Sequence, residues 1–180
     1  MFANLKARQQ AQAEAEARKS PEEKLEDQAK NGRATLHFLT GISLFNILML
    51  LMDADTILVF SPSLPYLGVL LGQAVGAVGI AVAIGLILSA PYSLCAFWCK
   101  KSPAGMLAAA IFFILDFAGL MIFTYLFMDS FMDNLMDIVA HIAILFVIFA
   151  GWSVQKKYHA MVSQRRDSAQ TLYSTDPEKF

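Results

Sequence analysis

Four long apolar stretches, separated by short polar breaks, fill the middle of this chain. A helix needs about 20 mainly apolar residues to cross the hydrocarbon core of a bilayer, within a range of about 17–25. The stretches 35–52, 66–90, 104–128 and 135–155 satisfy this length. The pattern predicts an all-α protein: a four-transmembrane-helix bundle over residues 34–155, with a charged, helical N-terminal tail at 1–33 and a polar tail at 156–180.

The two tails carry different helix signals. Residues 3–19 are rich in Ala, Gln, Glu, Lys and Arg, which are good helix formers. Ser20 and Glu23 have the spacing of a capping box, which predicts that a helix begins there. Asn31 and Gly32 predict that this helix stops before the first span. Beyond Tyr158 the chain is polar, and we expect it to be disordered.

Composition and charge narrow the class of protein. The chain is 57% hydrophobic without counting glycine and 16% charged, whereas soluble domains average about 45–50% apolar with glycine included and about 25% charged. This excess predicts a membrane protein with the lipid bilayer as its surroundings. The net charge of −1 gives no electrostatic reason to expect a nucleic acid partner. All 14 Lys and Arg residues lie within 1–33, 100–101 and 156–180, so the positive-inside rule predicts a cell-membrane protein with both termini in the cytoplasm.

The second predicted span carries a series of glycines spaced mostly four residues apart. Residues four apart share a helix face, and small residues let transmembrane helices approach closely. We expect this face to pack within the bundle, against another membrane protein or against a second copy of the chain. Gly85 lies off the series and is expected to tolerate alanine. The predicted packing glycines are Gly68, Gly72, Gly76 and Gly79.

Each predicted span also has a polar side chain in its outer half. A carboxylate at mid-span costs roughly 2.5–3.5 kcal/mol on insertion scales, so it should face the interior and have a partner. If these side chains share one interior, they form a stepped polar layer from the outer surface towards the midplane. The members of the layer are Asn46, Gln73, Asp116, Asp137 and His141.

Two interpretations of this layer stay open. It can hold helices together through hydrogen bonds, which contribute about 0.6 kcal/mol per pair on average. It can instead conduct protons or cations, or bind a small ligand, which would make the chain a small transporter or ion-conducting protein. Towards the cytoplasm only His37, Thr40 and Ser43 continue the polar series. We therefore favour an accessory or interaction protein that packs against a partner or itself.

The sequence contains no recognisable catalytic or metal-binding set. Cys95 and Cys99 lie four residues apart on the cytoplasmic side, and two ligands are too few for a zinc site. Neither a nucleophile arrangement nor a phosphate-binding glycine loop is present. We therefore expect no enzyme activity and no cofactor. Residues 56–63 are apolar enough to lie at the membrane interface or to dip back into the bundle.

Several short motifs resemble a group of small four-span bacterial membrane proteins, mostly from Firmicutes, over about residues 36–155. Many members of that group carry an N-terminal zinc ribbon, whereas this chain has no paired cysteines before its first span. The group has no assigned activity, so the resemblance implies the four-span topology and no particular function. The motifs lie at Leu39, Thr40, Asn46, Asp55, Thr56, Phe60, Ser61, Pro65, Tyr66, Leu94, Cys95, Lys100, Lys101, Leu115, Asp116, Asp137, Ile138 and His141.

Overall fold

The computed structural model describes residues 6, 8, 10–11, 14, 17–54, 58, 60–127 and 131–175. Its helices are α1 (Pro21–Leu51), α2 (Leu64–Ala74), α3 (Val78–Trp98), α4 (Ala104–Phe127) and α5 (Leu135–Thr175), with a short 3-10 helix at Phe131–Asn134. Because these residues include no β-strand, the all-α class is confirmed. Four of the helices, α1, α3, α4 and α5, are long and apolar enough to cross a membrane, which is compatible with a multi-pass membrane protein. Much of the predicted helical tail before Ser20 lies outside the described residues.

The four long helices form a closed ring in which each helix contacts two others. α1 packs against α3 and α5, and α4 packs against the same two helices. A core of large side chains, including Leu36, Tyr92, Phe113 and Ile148, fills the half of the ring where α1 begins and α5 leaves the bundle. We call this half the charged end, and the opposite half, where α1 ends and α5 begins, the far end.

The chain between α1 and α3 dips back into the bundle. From the far end it returns to the middle of α4, where the backbone N–H groups of Ser63 and Leu64 contact the Asp116 carboxylate. The 11-residue helix α2 then runs back towards the far end over about 16 Å, at 1.5 Å per residue. Near the C-terminus of α2, Gln73 donates to the Leu50 carbonyl at the end of α1. Of the two alternatives left open by the sequence, residues 61–63 adopt the re-entrant one, since all three are buried and Ser63 reaches Asp116.

Two helices replace the single second span predicted at 66–90, which corrects that prediction. α2 ends in a Schellman motif, in which the Ala77 N–H donates to the Gly72 carbonyl at 2.8 Å and the Gly76 N–H donates to the Gln73 carbonyl at 3.1 Å. This motif needs a left-handed residue at its centre, and Gly76 has φ +73°. The helix that crosses the bundle here is α3, and it continues through Pro91 to Trp98.

The break after Ala74 also overturns the predicted continuous glycine face. Gly72 lies in a tight crossing, because a Cβ atom there would be 1.9 Å from the Ala81 Cβ atom. Gly68 makes only an ordinary contact, and Gly79 has open space around it. Gly85 was expected to tolerate alanine, yet a Cβ atom there would lie 2.9 Å from the Pro65 carbonyl oxygen. The close approach of α2 to α3 therefore depends on Gly72 and Gly85 rather than on the four-residue series.

Both tails continue as helix further than the sequence suggested. The predicted capping box is confirmed, since the Glu23 N–H donates to the Ser20 hydroxyl and the Ser20 N–H donates to the Glu23 carboxylate. The predicted stop at Asn31 and Gly32 is wrong, because α1 runs through it unbroken. A Cβ atom at Gly32 would lie 3.1 Å from Met106 Cε, so glycine serves helix packing there. The expected disorder after Tyr158 is also wrong as far as Thr175, where α5 ends.

Candidate functional site

Asn46 holds the re-entrant segment at its described residue Leu58. The Asn46 side-chain amide is buried and pairs with the Leu58 backbone on both sides, accepting from its N–H and donating to its carbonyl, each at 2.9 Å. It also donates to the Ser61 hydroxyl at 2.6 Å. Non-helical backbone is tolerated at membrane depth only when it is buried in protein and its polar groups are satisfied. Asn46 supplies those partners from α1.

Asp116 caps the N-terminus of α2 from a different helix. Its Oδ2 atom accepts from the Ser63 N–H and its Oδ1 atom from the Leu64 N–H, both at 2.8 Å. The first N–H groups of a helix have no partner within the helix, and the helix dipole favours a negative charge there. Ser63 is the N-cap residue, but its hydroxyl does not cap α2 and instead contacts His141. The carboxylate therefore takes over the capping role in the middle of the bundle.

His141 completes this buried cluster from α5. Its Nε2 atom lies 3.1 Å from Asp116 Oδ2 and 3.2 Å from the Ser63 hydroxyl oxygen. Its other nitrogen, Nδ1, lies 2.8 Å from the carbonyl oxygen of Asp137. The rings of Phe113 and Phe117 lie 5.0 and 5.6 Å from the imidazole. His141 is fully buried and Asp116 nearly so, so bulk water does not solvate either group.

The hydrogen-bond geometry fixes one hydrogen on the His141 imidazole. A carbonyl oxygen only accepts hydrogen bonds, so His141 Nδ1 carries a hydrogen and donates it to Asp137. The Nε2 atom faces two groups: Asp116 Oδ2 at 3.1 Å and the Ser63 hydroxyl, which can donate to it, at 3.2 Å. A proton held between Nε2 and Asp116 Oδ2 would join the two ionisable groups directly.

A cavity of about 250 Å³ lies beside this pair, between α3 and α4. Apart from Asp116 its lining is apolar or aromatic, and it includes Leu64, the residue whose N–H donates to Asp116 Oδ1. Three lining residues, Leu88, Phe112 and Leu115, are also exposed on the lateral surface of the bundle. The cavity thus opens sideways, on a surface suited to contact with lipid.

Of the other members of the predicted polar layer, Asp137 contacts the pair through its backbone, whereas Gln73 lies apart from it. Gln73 is at the far end, where it contacts α1. The half-buried Asp137 contributes its carbonyl oxygen to His141. Ser61 and Ser63, which contact Asn46 and His141 respectively, were not among the site residues predicted from the sequence. A serine on either side of Pro62, in a segment too apolar for an ordinary loop, was the available signal.

A second polar cluster lies nearer the charged end. His37 Nδ1 lies 3.1 Å from the Ser93 hydroxyl, which donates to the Thr40 hydroxyl at 2.9 Å. Thr40 in turn donates to the Ser89 carbonyl. This cluster joins α1 to α3. It includes His37 and Thr40, two of the three residues that were noted in the sequence as continuing the polar layer towards the cytoplasm. The third, Ser43, bonds to the Leu39 carbonyl within its own helix.

The two cysteines are part of the core at the charged end. Cys95 and Cys99 are buried and pack close to Gly105, where a Cβ atom would lie 2.6 Å from the Cys99 nitrogen. The Nε2 atom of His159 lies 2.9 Å from the Cys99 carbonyl oxygen, so the imidazole caps the end of α3. These contacts account for the positions of all three residues through packing and capping.

No protein-family model, curated protein or solved structure matches this chain. Its function must therefore be inferred from the cluster of Asp116, His141 and Ser63 and from the cavity beside it.

Proposed function

We propose that this protein is a small multi-pass transporter or ion-conducting protein whose working site is the Asp116–His141 pair. One observation supports this most: two buried ionisable groups, Asp116 and His141, lie 3.1 Å apart at the inner end of a re-entrant helix, close enough to share one proton. An ionisable side chain within a membrane span is expensive and usually marks an ion or proton path. Capping of α2 alone would need only a neutral acceptor, so the titratable pair exceeds the structural requirement.

Loss of the shared proton would leave a net negative charge in the middle of the bundle. Isolated buried charge is strongly unfavourable, and the protein must then admit another cation or rearrange. Asp116 is also the cap that holds Ser63 and Leu64. A change in its charge therefore acts directly on the re-entrant segment, which links protonation to the conformation of that segment.

Polar groups at three depths support a path along the bundle. The contact of Asn46 with Ser61 lies towards the far end, and the Asp116–His141 pair lies in the middle. The cluster of His37, Thr40 and Ser93 lies towards the charged end. Such steps are what a proton or cation needs when it moves between sites.

The proposed location is the cell membrane, with both termini and the connection after α3 in the cytoplasm. Cations gather at the charged end: Arg33 lies over the ring of Tyr158, Lys100 over Phe97 and Lys156 over Trp152. The positive-inside rule assigns such an end to the cytoplasm. A cytoplasmic reporter fused at either terminus should be active, and activity of an external reporter there would contradict this orientation. We also retain, as a proposal, membership in the Firmicutes-type group of four-span proteins.

Proteoliposomes test the proposed transport directly. We expect the wild-type protein to dissipate an imposed pH or cation gradient faster than protein-free vesicles. Asp116→Asn and His141→Gln should lose this flux while remaining folded by circular dichroism and thermal unfolding. Ser43→Ala is the matched control, because the Ser43 hydroxyl bonds to the Leu39 carbonyl within α1. Wild-type flux equal to that of empty vesicles, or full flux in Asp116→Asn, would refute the proposal.

A second candidate is an accessory or interaction protein that packs against another copy or a membrane partner. An open apolar groove of about 450 Å³ supports it, since small residues such as Gly68, Ala74 and Ala77 line it beside the α2–α3 turn. In a bilayer, small residues allow the close contacts that drive helix association. Val75→Cys, at an exposed groove position, should cross-link two copies in membranes, whereas Ile114→Cys on α4 should not. Equal cross-linking of both, or of neither, would count against self-association through this groove.

A further inference from the structure

The cavity beside Asp116 combines an apolar body with hydrogen-bond acceptors. Leu88, Phe112 and Leu115 form part of its wall, and Tyr92 and Phe112 provide aromatic rings. Asp116 is the one carboxylate among the residues that line this cavity. An acceptor in an apolar wall attracts a ligand that carries a donor.

Asp116 retains one acceptor position beside the same cavity. A carboxylate offers about four lone-pair positions. Oδ2 receives two of the observed contacts, from Ser63 and His141, whereas Oδ1 receives one, from Leu64. Leu64 itself lines the cavity, so the oxygen with spare capacity is the one bonded to the cavity wall. A charged donor at this point would form a charge-assisted hydrogen bond in an apolar setting.

We propose that this cavity binds a lipophilic amine in its protonated form, in exchange for the proton shared by Asp116 and His141. The apolar body occupies the space between α3 and α4, and the ammonium group donates to Asp116 Oδ1. The lateral opening gives the amine access from the bilayer, where such molecules concentrate.

Charge balance specifies the exchange. Before binding, the carboxylate and the imidazolium are neutral together. When the ammonium arrives, His141 releases the Nε2 proton to solvent, and the Asp116 carboxylate and the ammonium are then neutral together. The Ser63 hydroxyl can donate to the vacated Nε2 atom, from which it is 3.2 Å away. No bond other than these N–H bonds changes.

Other ionisable groups face the pair from the neighbouring helices. Tyr66 on α2 and Tyr92 on α3 interact electrostatically with Asp116, and Asp137 on α5 interacts with His141. From α1 the polar contact to the re-entrant segment is the neutral Asn46. Of these groups, Asp116 and Tyr92 line the cavity.

The test uses 1-adamantylamine as the probe and 1-adamantanol, which has the same shape without a charge, as its control. Calorimetry of the purified full-length protein near neutral pH, in two buffers of different ionisation enthalpy, measures binding and proton release together. We expect the amine to bind at least tenfold more tightly than the alcohol and to release about one proton. Asp116→Asn should lose this preference. In His141→Gln the lone buried carboxylate takes up a proton of its own. Amine binding should then still release one proton, but with a pH dependence different from that of the wild type, which a purely structural role for His141 would not produce.

Two variants on α3 test the same cavity independently, in case Asp116→Asn does not fold. Leu88→Phe fills the cavity and should weaken amine binding at least tenfold, whereas Leu86→Phe, at an exposed position outside the cavity lining, should leave it unchanged. Equal binding of amine and alcohol, or amine binding without proton release in the wild type, would overturn the proposal. Amine binding rests on the proposed function, yet the two fail separately. Binding with proton release but no flux refutes transport alone, and flux without amine binding refutes this ligand class alone.

Discussion

The substitution Gly72→Ala tests the crossing of α2 and α3 most directly. A Cβ atom at residue 72 would lie 1.9 Å from the Ala81 Cβ atom, and ordinary contact begins at 3.4 Å. The new methyl group is thus about 1.5 Å too close. Both methyl groups are attached directly to the backbone, so neither has a rotamer that would relieve the overlap. Helices α2 and α3 must therefore move apart.

The expected loss follows from two opposing contributions. Overpacking of a well-packed contact costs about 1–3 kcal/mol, and this overlap belongs at the upper end. Replacing glycine by alanine in a helix returns at most about 1 kcal/mol. The net loss is then about 2 kcal/mol, which for a chain of this size lowers the unfolding midpoint by about 4–8 °C.

Thermal unfolding in detergent, followed by circular dichroism, measures this loss. Gly79→Ala, in the same hairpin, is the matched control, because no atom of the described residues lies within 4 Å of a Cβ atom there. It should leave the midpoint unchanged or raise it slightly. The double variant Gly72→Ala with Ala81→Gly exchanges the two methyl positions and should recover most of the lost stability. A Gly72→Ala protein as stable as the wild type, or a double variant less stable than the single one, would refute a tight crossing at this glycine.

Three further predictions concern other parts of the chain. The Ser20 N–H and hydroxyl lower the pKa of Glu23 from its ordinary value of 4.5, so the capping contribution is complete above that value and is lost as the pH falls through the lower folded pKa. Protection of the amides in the first turn of α1, measured relative to the intrinsic exchange rate at each pH, should therefore fall in acid, and Glu23→Gln should remove this pH dependence. Asn46→Ala removes the side chain that pairs with the Leu58 N–H and carbonyl, and an unpaired backbone group costs about 1–3 kcal/mol. Hydrogen exchange at the Leu58 amide should therefore rise at least fivefold. An equal rise in Ser43→Ala would contradict a specific role for Asn46. Arg165→Ala removes an exposed ion pair to α1 and should change stability by no more than about 1 kcal/mol; a larger loss would show that the helical extensions form a stabilising contact.

The all-α class and the number of helices able to cross a membrane could be predicted from the sequence alone. The length of an apolar segment is enough to indicate that it can cross a membrane. The structure has four helices of this kind among the described residues. The capping box at Ser20 was equally accessible, since it depends only on two side chains three residues apart. Asp116 was expected to face the interior with a partner because a carboxylate in lipid is so costly; in the structure it is buried against His141.

Only the tertiary structure determined the course of the chain around Gly76. Hydropathy measures apolar content and carries no information on chain direction, so a helix, a turn and a second helix appeared as one span. Gly76 lies in a series that suits close packing, yet it also suits the left-handed position of a Schellman motif. The choice between these depends on whether Gly72 and Gly85 can contact α3 and α2 across the hairpin, which no local pattern specifies.

The backbone partners of Asp116 were also beyond the sequence. A carboxylate in the middle of a span predicts a partner among the other side chains. A sequence specifies the side chains directly, whereas it does not specify where backbone groups will lie. The closest contacts of Asp116 are instead the backbone N–H groups of Ser63 and Leu64, which every residue but proline possesses. They become available only because the chain re-enters the bundle and begins a helix there, leaving its first N–H groups without partners. The sequence thus determined which residues had to be buried, and the fold decided which backbone atoms they would satisfy.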